Sequence, residues 1–78
     1  MGLALREVVV TQVEPGSVAD EAGVQRGDVI REINGESIRK IGDYQSALAK
    51  AKKSEIIRLL IKRGERNLYI TIRTDKTK

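Results

Sequence analysis

Among the side chains that ordinarily carry chemistry, this sequence offers 15 Lys and Arg, 11 Asp and Glu and a set of hydroxyls, but no histidine and no cysteine. Those two zeros exclude a Ser-His-Asp triad, a Cys-His pair, His-ligated zinc and any thiolate metal site. They also exclude disulfides and leave the redox compartment open. Ser17 suits a helix cap and Asp28 the turn that leads into a strand, and other isolated carboxylates sit in turns and caps. The chain is therefore read as non-enzymatic and without a cofactor or metal. Two tyrosines, with no Trp and no Phe, provide little of the aromatic platform on which single-stranded nucleic acid stacks.

The charged residues are unevenly distributed. Residues 1–39 hold four basic side chains (Arg6, Arg26, Arg31, Arg39) and seven acidic ones, a net of −3; residues 40–78 hold eleven basic and four acidic, a net of +7. A basic half can attract nucleic acid or an anionic surface. Interspersed acids and the lack of aromatics argue against nucleic acid, and read Lys50, Lys52, Lys53, Lys62 and Arg63 as solvated ends of a helix and a strand. No apolar run approaches the roughly 18 residues of a membrane span. Met1 to Glu7 lacks the basic region and long apolar stretch of a signal peptide.

The elements that must position these residues fit one small domain of 78 residues, 40% hydrophobic and 33% charged, a composition typical of soluble globular domains. Val8-Val9-Val10-Thr11-Gln12-Val13 is a β-branched run and reads as a strand. Glu14-Pro15-Gly16-Ser17 stops it in a type II turn. Ser17 caps a two-turn helix, Asp20 completes a capping-box pattern, and Gly23 ends the helix. Val29 to Ile33 and Glu36 to Ile38 flank Asn34-Gly35, a strong signal for a tight hairpin. From Ile41 to Lys52 the apolar spacing turns helical through Tyr44, Ala47, Leu48 and Ala51. Lys40 stands where a Ser-like cap is common, so that helix start is weakly specified. Glu55 to Lys62 reads as a strand, Arg63 to Arg66 as a turn, and Asn67 to Arg73 as a last strand, with Leu68, Ile70 and Ile72 on one face. The order is strand, strand, short helix, two strands, longer helix, two strands, an α+β domain.

Glu14-Pro15-Gly16-Ser17-Val18-Ala19, then Ala22-Gly23-Val24-Gln25-Arg26-Gly27-Asp28-Val29-Ile30, then Ile33-Asn34-Gly35, resembles the signature of a PDZ domain. Asp43 to Leu48 and the final strand pair around Arg63-Gly64 extend the likeness from Gly2 to about Arg73. Within that family the sequence is most similar to the bacterial type attached to HtrA/Deg-like serine proteases. The resemblance implies a PDZ-like, partly closed antiparallel β-sandwich or barrel of roughly five to six strands capped by two helices, in the circularly permuted bacterial topology. A single domain over residues 1–75 is expected, with 76–78 a frayed tail.

The resemblance also implies binding of C-terminal or extended peptides of other proteins by β-augmentation between the first strand and the long helix. Met1-Gly2-Leu3 is similar to the family's carboxylate-binding loop, whose upstream residues are missing here, and Leu3-Ala4-Leu5 to the strand that receives the ligand. Ile41, Gln45 and Leu48 fall on the groove side of the helix, with Ala49 at its margin and Tyr44 and Ala47 toward the core. The implied parent is a protease of the periplasm or cell envelope, with its catalytic domain elsewhere. Other parents (a site-2 metalloprotease, a C-terminal processing peptidase, a secretion component), self-association through the same strand edge and nucleic-acid binding by the basic half are the alternatives.

Overall fold

The computed structural model describes residues 3–6 and 8–73, and of Ala4, Leu5 and Arg6 the backbone alone. The elements come in the expected order: β1 (Leu3–Arg6), β2 (Val9–Val13), α1 (Val18–Ala22), β3 (Val29–Ile33), β4 (Glu36–Ser37), α2 (Ile41–Ala51), β5 (Ile56–Arg63) and β6 (Arg66–Arg73). The strands form one curled antiparallel sheet in the order β1-β2-β3-β5-β6, with β4 also paired to β3. The N-terminal and C-terminal strands thus occupy the two ends of the sheet.

Local chemistry explains the breaks. Gly16 takes φ 77° and the Ser17 amide donates to the Glu14 carbonyl at 3.2 Å, closing the type II turn that a side chain at position 16 would strain. Ser17 Oγ accepts from the Asp20 amide at 3.1 Å. The Asp20 carboxylate reaches one residue further than a capping box predicts and accepts from the Gly16 amide at 2.8 Å, so turn and helix start are held by one side chain. Asn34 and Gly35 both have positive φ, 51° and 85°, as a two-residue I′ hairpin between β3 and β4 requires. α2 starts at Lys40 without a side-chain cap, as its residue type suggests; instead the Asp43 carboxylate accepts from the Arg39 amide at 3.0 Å.

The core runs beneath β3, β5 and β6. Ile57, Leu59 and Ile61 of β5 and Ile72 of β6 are fully buried, and Ile70 nearly so. β6 alternates as its sequence predicts, Ile70 and Ile72 inward, Tyr69, Thr71 and Arg73 outward. β3 does not alternate: Ile30 and Ile33, three residues apart, are both buried. The register with β5 passes from Ile30↔Ile61 to Glu32↔Leu60, and Arg31 is the extra residue of a β-bulge. The bulge resets the pleat so that both isoleucines point inward. Tyr44, Ala47 and Ala51 bury one stripe of α2 in this core, next to β3. No helix among the described residues is long and apolar enough to cross a membrane.

Candidate functional site

β1 pairs with β2 alone among the described strands, so its second backbone edge has no strand partner there. The ladder is short and broken. Leu3↔Val13 and Ala4↔Gln12 are followed by Leu5↔Val10 and Arg6↔Val9, leaving Thr11 as an extra residue in β2. Such a bulge increases twist and interrupts pairing, the usual state of a sheet edge. Of the residues expected to receive a ligand, Leu3 is half-buried and packs against the core, Ala4 and Leu5 lie on β1, and Met1 and Gly2 lie outside the described residues.

On α2 the helix phase is marked from both sides. At 3.6 residues per turn, Leu48, Ile41 and Gln45 lie on one flank of the buried stripe of Tyr44, Ala47 and Ala51, and Lys50 on the other. Lys50 Nζ stands 3.6 Å from the Glu36 carboxylate of β4, which identifies the flank that faces the β3–β4 hairpin. The other flank holds Leu48, half-buried against the core, Ile41, 39% exposed, and Gln45, exposed. Ile41 and Leu48, seven residues apart, leave some apolar surface open on this flank. Ala49 is exposed and lies further round, nearly opposite the buried stripe. Tyr44 and Ala47 are buried, as expected from the same phase. Burial pushes the Tyr44 phenol above its ordinary pKa of 10.0, because the charged phenolate is the form that desolvation penalises.

The sequence reading missed one polar cluster. Asp28 is 1% exposed, the one buried charged residue among those described. Its carboxylate accepts from Arg63 Nε at 2.8 Å and Nη2 at 2.9 Å, and from the Gln25 amide at 2.9 Å. Arg63 Nη2 also donates to the Gly23 carbonyl at 2.9 Å. Arg63 is therefore not the solvated strand end expected of it; its fork joins the end of β5 to the loop that follows α1. The hydrogen bond to Asp28 raises the Arg63 pKa above its already high ordinary value. Asp28 does more than form a turn, since it binds across 35 residues of sequence. No local pattern signals a pairing at that separation. These groups are mutually satisfied, which is a structural role and not a reactive one.

Compared with family models, the chain matches the PDZ domain over residues 9–63, more than half of its length. It is 34% identical over 67 residues to a Synechocystis protein named as a serine protease, HhoA, covering 86% of this chain and 17% of that protein. It is 43% identical over 47 residues to a Brucella suis protein named as a DegP-like periplasmic serine endoprotease, covering 60% of this chain and 9% of that protein. The chain thus spans less than a fifth of the length of these relatives. Among solved structures it is similar to the HtrA3 PDZ domain bound to a phage-derived ligand, FGRWV, with a TM-score of 0.81 at 23% identity, covering 94% of this chain and 81% of that one. At that identity the likeness concerns the fold.

Proposed function

The chain belongs to the PDZ domain family, and on that premise we propose that it is a peptide-binding module acting as the regulatory or substrate-recognition domain of an HtrA/Deg-like serine protease. An extended peptide pairs with the backbone edge of Leu3, Ala4 and Leu5, where main-chain hydrogen bonds supply affinity without demanding a sequence. The amides of Gly2 and Leu3, with Met1 beside them, receive the terminal carboxylate. The last side chain enters a slot bordered by Leu48, Ile41 and Gln45, and a small or medium apolar residue fits best; Ala49, turned nearly opposite the buried stripe, is left out of it. Affinity is micromolar in order, since a short peptide loses ordering entropy for few contacts. The catalytic chemistry belongs to another part of the parent protein, and a periplasmic or envelope location follows from the names of its relatives.

The observation that supports this reading most directly is the pairing of β1 on one side only, together with partly open Leu48 and Ile41 on the α2 flank that β4 leaves unused. The peptide bound by the HtrA3 relative is in keeping with it. The test is an amide chemical-shift titration with an apolar-ended peptide and its C-terminally amidated twin. Shifts confined to residues 2–5 and 41–48, and lost with the amide, are expected. Equal shifts with both peptides replace carboxylate reading by binding of internal segments, and an absence of saturable shifts removes the proposal.

A further inference from the structure

The face of the sheet turned away from the core carries a pattern that the β1–α2 flank does not use. Along β5, Arg58, Leu60 and Lys62 alternate with buried Ile57, Leu59 and Ile61, and so present cation, apolar group and cation to the outside. Leu60 is in register with Tyr69 of β6 on one side and Glu32 of β3 on the other. Tyr69 is 78% exposed, far more than the other large apolar or aromatic side chains described. Two adjoining open hollows, of about 800 and 530 Å³, share Glu32, Leu60 and Tyr69. Val29, Arg31, Arg39 and Lys62 line the larger and Arg58 the smaller. The bulge at Arg31 contributes, because it leaves consecutive residues Arg31 and Glu32 both lining this side. Lys50 pairs with Glu36 and Arg63 with Asp28, and among the described residues no carboxylate is paired with Arg31, Arg39, Arg58 or Lys62.

From this arrangement we propose that the outer face of β3, β5 and β6 binds an extended acidic polypeptide segment in which two carboxylates four residues apart flank an apolar side chain. In a strand, residues i, i+2 and i+4 project to one side at about 3.3 Å per residue, which places the outer two about 13 Å apart. Arg58 and Lys62 obey the same period, so an acidic–x–apolar–x–acidic segment meets cation, Leu60 and cation in step, with the Tyr69 ring beside its apolar residue. Four cations against Glu32 and Glu65 give the lining a positive excess that complements such a segment. Nucleic acid fits less well. A single ring stands in place of the succession of aromatics on which bases stack.

The probe is an N-acetylated, C-amidated Gly-Glu-Ala-Leu-Ala-Glu-Gly peptide, which lacks a terminal carboxylate, titrated to about 2 mM into isotope-labelled protein. Saturable shifts are expected at residues 56–62 and 67–71. A twin with Gln for both Glu weakens binding at least about fivefold, and Arg58→Glu with Lys62→Glu abolishes it. Tyr69→Ala also weakens it, and Arg58→Gln or Lys62→Gln alone serves if the double reversal disturbs the sheet. No saturation, equal affinity for the Gln twin or indifference to these variants overturns the proposal. Tighter, steeply salt-dependent binding of oligothymidylate at the same residues replaces it with nucleic-acid recognition. Shifts at residues 2–5 and 41–48 instead assign the acidic peptide to the β1–α2 groove and leave this face without a ligand.

Discussion

β5 and β6 share eight consecutive residue pairs without a break, whereas β1 shares four pairs with β2 and loses register after the second. The first pair of strands carries Ile57, Leu59, Ile61, Ile70 and Ile72 into the core and is clasped at its turn end by Arg63 on Asp28. β1 contributes a half-buried Leu3 and ends the sheet. Folding free energy is concentrated where apolar area is buried and ladders are long. A strand edge without a strand partner leaves backbone groups of the kind that pairing with an incoming peptide requires. The long unbroken ladder stands at one end of the sheet and the short broken one at the other.

The strongest way to break that contrast is by truncation on each side. Leu59→Ala is expected to cost about 3 kcal/mol in urea unfolding, the usual scale for a fully buried leucine. Leu48→Ala, at a half-buried site, is expected to cost about 1 kcal/mol. Equal losses would mean that the helix flank is as much core as β5. Asp28→Asn comes next, at about 2 kcal/mol, because one change weakens charge-assisted bonds to Arg63 and the bond from Gln25 while the site remains buried. A double-mutant cycle with Arg63→Met should yield a coupling near 1 kcal/mol; the partial exposure of Arg63 keeps it modest.

Ser17→Ala is expected to lower stability by about 1 kcal/mol through loss of the cap on Asp20, without effect on peptide affinity. Gln45→Asp is the converse: a stability change within about 0.5 kcal/mol, with weaker binding of an apolar-ended peptide seen by chemical-shift titration. The smallest effect near neutrality concerns pH. Tyr44 has a folded pKa above its ordinary 10.0, so its contribution is complete below that value and is lost as pH rises through the folded pKa. Unfolding free energy is therefore expected to be flat in this respect through neutral pH and to fall in the alkaline range, and Tyr44→Phe should remove that part of the decline.

Legibility followed the range of the interaction. Gly16, Gly23 and Asn34-Gly35 stand where the sequence reading put its turns, and the alternation of β6 is as expected. On the helix, the phase that buries Tyr44 and Ala47 was readable because a 3.6-residue period is repeated three times along α2. Boundaries moved by a residue or two: β4 ends at Ser37, not Ile38, although buried Ile38 still donates to the Arg31 carbonyl, and β5 runs to Arg63. The bulge at Arg31 in β3 depends on the partner strand and was not part of the sequence reading, which took Val29 to Ile33 simply as a strand. Of the expected ligand residues, Met1 and Gly2 fall outside the described residues, while Leu3, Ile41 and Leu48 are seen as partly open apolar side chains.

By itself the sequence determined the element order, the turns and the apolar faces, because positive φ, capping and periodicity are properties of neighbours along the chain. It also determined, through the absence of His and Cys, which chemistries are closed to these residues. Tertiary structure alone decided that Asp28 and Arg63 form one part-buried clasp, that Arg31 bulges, and that Leu60 lies between Glu32 and Tyr69. Those facts are set by strand register, which depends on how distant segments bury their apolar faces together, and register is not written in any one segment.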